Sequence, residues 1–254
     1  MLAGQNHTRY YMKSLQKNRI VYTYAISLAV LLLSVILGIL LGSTKISLSD
    51  MLGAIVRGDY QSPEARILLY VRLPRVLGSL ICGIALAVSG AVIQGVLANR
   101  LASPSIIGVN AGAGLAVTLC SAFGIIGGWQ LSLFSFLGAF FAVMIVSIGA
   151  KKWGASRGTV ILLGVALNAF LGAISDTVKT FIPEVSIISN DFRVGDLSSV
   201  TYAKGIPAAV AIIVAVIVLQ TFASDLDVLT LGDENAKGLG LNTGVMRIVF
   251  LMLS

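Results

Sequence analysis

Fifty consecutive residues, Leu101 to Ala150, carry no charged side chain. One membrane-crossing helix needs roughly 20 apolar residues. The run is therefore too long for one helix and long enough for two with a turn between them. The turn falls at Gly127-Gly128-Trp129-Gln130, where two glycines and a Trp suited to the membrane interface interrupt the apolar sequence. Composition agrees: 57% of residues are apolar and 11% charged, against about 25% charged in a typical soluble domain. Mean hydropathy is +0.94. A soluble enzyme domain, a disordered chain and a disulfide-stapled secreted scaffold are all excluded. The expected fold is all-α, a polytopic transmembrane helix bundle.

Charged residues mark the other boundaries. The expected spans are Ile20–Thr44, Val76–Asn99, 106–126, 131–150, Thr159–Phe181 and Gly205–Ala223, with a truncated seventh from Val245 to Ser254. Met1 to Arg19 is too long and polar for a cleavable signal, and no cleavage site follows it. That tail carries Arg9, Lys13, Lys17 and Arg19 and no acid. Basic residues near span ends favour the cytoplasmic side, so residues 1–19 are read as a cytoplasmic tail. Alternation then places Arg100, the Lys151-Lys152-Arg157 loop and the Asp225–Arg247 segment inside as well. The net charge of +7 is thus a topology signal rather than a nucleic-acid footprint, and no nucleic-acid partner is expected.

Small residues recur every fourth position within the spans. Ser79, Gly83, Ala87, Ala91 and Gly95 form one stripe, Gly108, Gly112 and Ala116 a second, and Gly164, Asn168 and Gly172 a third. Helices in lipid associate through close backbone approach at such positions, so the stripes predict a tightly packed bundle. Gln94 and Asn168 are polar groups at depth, suited to interhelical hydrogen bonds. Asp176 and Lys179 have the spacing of a local ion pair. Cys82 and Cys120 lie in apolar runs and read as inert buried thiols. His7 sits in the polar tail. There is no zinc-protease, paired-cysteine, nucleophile-elbow or phosphate-loop motif. No catalytic residue, metal or cofactor is expected, and any ATP-driven step needs a separate subunit.

Three segments carry more. Arg72-Leu73-Pro74-Arg75 leads into the second span. Gln94 to Gly114 reads QGVLANRLASPSIIGVNAGAG. Leu229 to Asn242 reads LTLGDENAKGLGLN. In this order and spacing they resemble the FecCD-type permeases, the membrane subunits of ABC importers for iron-siderophores, haem and vitamin B12. The resemblance runs from the first span to the end of the chain. One departure is Arg100, where the family usually has proline after the asparagine.

The resemblance implies one transmembrane permease domain over 1–254, in the inner or plasma membrane of a bacterium. The implied partners are two copies of a P-loop ATPase, a second permease subunit and an extracytoplasmic substrate-binding protein. Arg72 and Arg75 would receive acidic side chains of the binding protein, a pairing that guanidinium geometry suits. Pro74 between them suits the first turn of a helix. Residues 229–242 would be the cytoplasmic coupling helices, with Gly232, Asp233, Glu234, Ala236, Leu239 and Gly240 contacting the ATPase and Gly240 permitting the turn between two short helices. Asn99, Arg100, Ser156, Arg157 and Gly158 would lie near an inner gate. The fifth span would line the path between two permeases. The family fold has ten spans, so this sequence is expected to be a fragment or a truncated form, and a form ending at Ser254 is expected not to transport. The rival readings are an ion-gradient-driven secondary transporter, disfavoured by the scarcity of intramembrane acids, and a non-transporting remnant.

Overall fold

The computed structural model describes residues 2–254 except 43, 45, 46 and 153–156, with side chains described from residue 18 onward apart from Leu48 and Leu52. Its described elements are helices and the turns between them. The chain divides into two compact units, Met1–Val76 and Leu77–Ser254.

The first unit opens on a long helix, α1 (Leu2–Leu40), whose apolar part from residue 18 is exposed almost throughout. The stretch expected as an outer loop is largely helical instead. It holds α2 (Leu48–Val56) and α3 (Pro63–Ile67). Ser62 caps α3 by accepting a hydrogen bond from the Ala65 amide, with Pro63 at the first helical position. A π-helical turn, Leu68–Arg72, leads directly into α4 (Leu73–Leu97), so the helical path starts at Pro63. Pro74 therefore does not begin a helix, as expected from its sequence, but sits inside one. A proline ring collides with the carbonyl four residues back. Here that carbonyl belongs to Tyr70, within the widened turn, where the Leu73 amide reaches five residues back to Leu68.

The second unit contains most of α4 and eight further helices: α5 (Val109–Ala122), α6 (Gly128–Lys152), α7 (Arg157–Phe181), α8 (Ser186–Val194), α9 (Tyr202–Thr221), α10 (Ala223–Thr230), α11 (Asp233–Gly238) and α12 (Thr243–Leu253). Among the described residues, five helices are long and apolar enough to cross a membrane: Asn18–Leu40, Pro63–Leu97, Gly128–Lys152, Arg157–Phe181 and Tyr202–Thr221. The expected third span is not among them. Pro104–Ile107 forms a 3-10 turn, Gly108 takes a left-handed conformation, and α5 begins only at Val109. Its 14 residues reach about 21 Å, against a hydrocarbon core of about 30 Å. The turn at Gly127–Gln130 is where the sequence placed it, since α6 starts at Gly128. The connection between the expected fifth and sixth spans also proves helical: α8 packs on α5, and Ser189 shares a 3.1 Å hydrogen bond with Thr118.

The small-residue stripes divide into two kinds. Gly112 on α5 and Gly138 on α6 face each other so closely that a Cβ on either would overlap the other's carbonyl oxygen. Ala116 packs against Gly138 in the same crossing. On α7, a Cβ at Gly164 would overlap the Ile106 carbonyl, and one turn on Asn168 donates to the Ser105 carbonyl at 2.6 Å. By contrast Ser79, Gly83, Ala87 and Ala91 on α4 are exposed, and nothing lies within 4 Å of a Cβ placed at Gly83 or at Gly172 on α7. Gly95 of the α4 stripe does meet a neighbour, Leu226 of α10. The α4 face that packs inward is instead Ser89, Val92, Ile93, Val96 and Leu97. Val92, Ile93, Val96 and Leu97 join Val143, Val146 and Ala150 of α6, Val160 of α7, Leu219 of α9, Leu229 of α10, and Phe250 and Leu251 of α12 in one core. The core gathers the end of α4, the end of α6, the start of α7 and the end of α9, so it lies at one end of the unit and supports the short helices there.

Candidate functional site

The chemistry collects on those short helices. The α10 helix stops at Thr230, and the chain turns through Leu231 and Gly232. Gly232 has φ +105° and ψ 155°, a region open to glycine alone. The sharp turn between the two short helices is thus made by Gly232, not Gly240 as expected. Gly240, at φ +86°, instead ends the turn from α11 toward α12. Asp233 and Glu234 occupy the first turn of α11 and Lys237 its last, the arrangement the helix dipole favours.

Asp233 does not face outward as an open contact. Arg247 of α12, 4% exposed, places Nη2 2.9 Å from both carboxylate oxygens. Arg157, the first residue of α7, places its own Nη2 3.3 Å from Oδ1. The same Nη2 donates to the Leu229 carbonyl at 2.9 Å, an acceptor in the last turn of α10 that also receives the Gly232 amide at 3.3 Å. Burial pushes the Asp233 carboxyl up, but the hydrogen bond and charge of Arg247, with the charges of Arg157 and Lys237, outweigh it and hold the carboxyl below its ordinary value. Ala236 is fully buried against the body, so it seats α11 rather than touching a partner. Glu234, Lys237, Leu231 and Leu239 are exposed, the last two as large apolar side chains.

The structure thus joins two groups that the sequence kept apart, Arg157 of the expected gate and Asp233 of the expected coupling segment. Arg247 was missed. The signal for it was a lone charge inside an apolar run, which by default marks a function or a buried partner. Of the other expected gate residues, Asn99 is half-buried and Arg100 and Gly158 are exposed. Ser156 lies outside the described residues. Among the described residues no hydrogen bond or ion pair ties Asn99 or Arg100 to Arg157. Asn99 closes a tight turn: its side chain accepts from the Leu101 amide at 2.9 Å and its carbonyl from the Ala102 amide at 3.0 Å. Arg100 stands at the second position of that turn, where proline is favoured, so the asparagine does the closing that a proline would assist.

In the first unit, Arg72 is 7% exposed. It donates to the carbonyls of Ile39, Leu40 and Thr44 at 2.7–2.8 Å. Ile39 and Leu40 end α1 and Thr44 lies four residues beyond, so Arg72 ties the end of α1 to the segment that follows it. It is not presented to a partner, as the sequence had suggested, whereas Arg75 is exposed. Lys179 and Asp176 form the expected (i, i+3) pair at 3.5 Å. Cys82 is exposed and Cys120 buried. No group of three or more His, Cys, Asp or Glu gathers as for a metal among the described residues.

Comparison with known proteins places this geometry. A solved structure titled "An inward-facing conformation of a putative metal-chelate type ABC transporter" superposes with a TM-score of 0.71 at 23% identity, over 91% of this chain and 70% of that one. The fold is therefore that of this transporter chain. The ferric enterobactin transport system permease protein FepD of Escherichia coli K12 is 32% identical over 89% of this chain and 68% of its own length. The Fe(3+)-citrate import system permease protein YfmD of Bacillus subtilis 168 is 30% identical over 91% and 68%. A putative ABC transporter permease of Methanocaldococcus jannaschii is 28% identical over 90% and 69%. The FecCD transport family matches residues 30–254, a range that takes in the Arg72–Arg75 segment, the Gly112–Gly138 crossing and the Asp233 cluster. The chain belongs to the FecCD transport family.

Proposed function

We propose that this chain is the membrane-spanning permease subunit of a binding-protein-dependent ABC importer, and that its cargo is an iron(III) chelate of the siderophore class. It forms one permease domain over 1–254 and performs no covalent chemistry. ATP is hydrolysed on two copies of a separate P-loop ATPase. A second permease, identical or paralogous, completes the path, and an extracytoplasmic binding protein delivers the cargo. Six crossings and part of a seventh fit the helices if α5 with its preceding turn makes the third and α12 begins the seventh. The 1–19 tail and residues 229–242 then lie on the cytoplasmic side of the cell membrane.

The observation that carries the reading is the α10–α11 pair. Leu231 and Leu239 stand exposed on either side of a six-residue helix anchored by Asp233 and Ala236. A short, well-anchored helix flanked by exposed apolar side chains is suited to insertion into a cleft of another protein. Glu234 and Gly232 belong to the same contact. Exposed Arg75 guides the acidic binding protein, and Arg72 supports it by fixing the end of α1. Asn99, Arg100, Arg157 and Gly158, with Ser156, border the inner gate.

The test is capture of the ATPase. The detergent-solubilised permease is expected to retain a P-loop ATPase through purification, and Leu231→Asp with Leu239→Asp is expected to abolish retention while the permease stays folded. Undiminished capture by the double variant overturns the reading. The gradient-driven alternative has no support among the relatives.

A further inference from the structure

We propose that Asp233, Arg157 and Arg247 form the joint through which displacement of α11 is passed into the membrane helices. The inference rests on reading α10–α11 as the seat of an ATPase. All three are positioning residues; none contacts cargo.

An isolated helix of six residues does not hold itself together in water. What holds α11 to the body is the buried Ala236 methyl and the Asp233 carboxylate. Arg157 grips that carboxylate and the Leu229 carbonyl with the same nitrogen. One guanidinium therefore fixes α10, α11 and the first turn of α7 to one another. From there α7 runs as an uninterrupted helix of 25 residues. Eleven residues on, about 16 Å along the axis, Asn168 donates to the Ser105 carbonyl at 2.6 Å and to the Ile106 carbonyl at 3.3 Å. Gly164, one turn nearer, lets the same 3-10 turn approach the α7 backbone. The far end of α7's grip is thus Pro104–Ile107, the segment that shortens α5.

A departure from α-helix at membrane depth is tolerated where neighbouring helices satisfy the freed backbone groups, as Asn168 does here. A push on α11 reaches that turn through two polar contacts and one stiff helix. The second arm of the joint, Arg247, is almost fully buried and carries the same push into α12. Buried charges tolerate loss of a partner poorly, so the joint transmits displacement rather than letting α11 slide past α7.

The experiment uses the assembled transporter with nitroxide labels at Leu162→Cys on α7 and Ile145→Cys on α6, both exposed, in a Cys82→Ala, Cys120→Ala background. Distances are measured with and without a non-hydrolysable ATP analogue. The analogue is expected to shift the α6–α7 distance in the parent. Arg157→Gln is expected to keep the ATPase bound and hydrolysing but to lose the shift, and Arg157→Lys to restore it; Asp233→Asn, which also loosens the α11 anchor, is expected to lose the shift. A shift that persists in Arg157→Gln overturns the proposal, as does a loss that Arg157→Lys fails to restore. Arg157→Gln leaves the Arg247–Asp233 pair in place, so the test survives if Asp233→Asn does not fold. If the parent retains no ATPase, the seat itself is refuted along with the joint, and this is seen at purification before any distance is measured.

Discussion

Asp233 sets the energetic behaviour of the site at the residue scale. Its carboxyl is 37% exposed while Arg247 is 4% exposed, so removing the charge harms the arginine more than the aspartate. Breaking a fully buried pair costs about 3–5 kcal/mol. Water reaches Asp233 and screens the interaction, so Asp233→Asn is expected to cost about 1–2 kcal/mol. The pH dependence has a defined sign. A carboxyl held below its ordinary value binds protons more weakly folded than unfolded. Its contribution to stability is complete above the ordinary value of 3.8 and is lost as pH falls through the lower folded value. Thermal unfolding of parent and Asp233→Asn in detergent should therefore differ by a constant from neutral pH down to that range. The difference should then shrink on further acidification. Comparing the two cancels the other carboxylates. A difference that is already gone near neutrality means that the arginines do not hold the charge.

At the scale of the element, the three small-residue stripes have the same period and different fates. Gly112 sits where α5 and α6 backbones nearly touch; Gly83 sits on an open face of α4. Gly112→Val must push two helices apart and is expected to cost about 1–3 kcal/mol, as overpacking does. Gly83→Ala adds a methyl to open space and removes backbone freedom from the unfolded chain. It is expected to be neutral or stabilising by up to about 1 kcal/mol. Unfolding of the two variants in detergent decides the matter, and equal losses would show that α4 packs through its stripe after all. The periodicity was legible in the sequence; the partner was not. A four-residue repeat says which side chains share a face, but only the neighbouring backbone says whether another helix lies there. Gly138 shows the converse. It pairs only with Ala142 four residues on, too short a repeat to stand out, yet it makes the tightest approach to Gly112. Arg72 shows the same limit for charges. An arginine near a span end reads as surface, and only the carbonyls of Ile39, Leu40 and Thr44 reveal it as an internal fastening.

At the scale of the whole chain, the uncharged runs located the long helices well, because lipid leaves backbone groups no partner outside the helix. They could not reveal α5 as a short helix. Pro104 and Gly108 break it within an apolar run, where hydropathy sees no change. The polar loops were misread for a complementary reason, since α2, α3 and α8 are too short and too polar to announce themselves by composition. The long helices also make a ruler for orientation. From Gly158 to Thr180, α7 rises about 33 Å, enough to place its two exposed ends on opposite faces of a bilayer. The cluster around Asp233 lies at the Gly158 end, and the Asp176–Lys179 pair at the other. Cytoplasmic coupling requires the Gly158 end to be inside. In a Cys82→Ala, Cys120→Ala background, a membrane-impermeant maleimide applied to intact cells is expected to label Thr180→Cys and to spare Gly158→Cys until the cells are opened. The reverse pattern puts α10 and α11 outside the cell, where no ATPase could reach them.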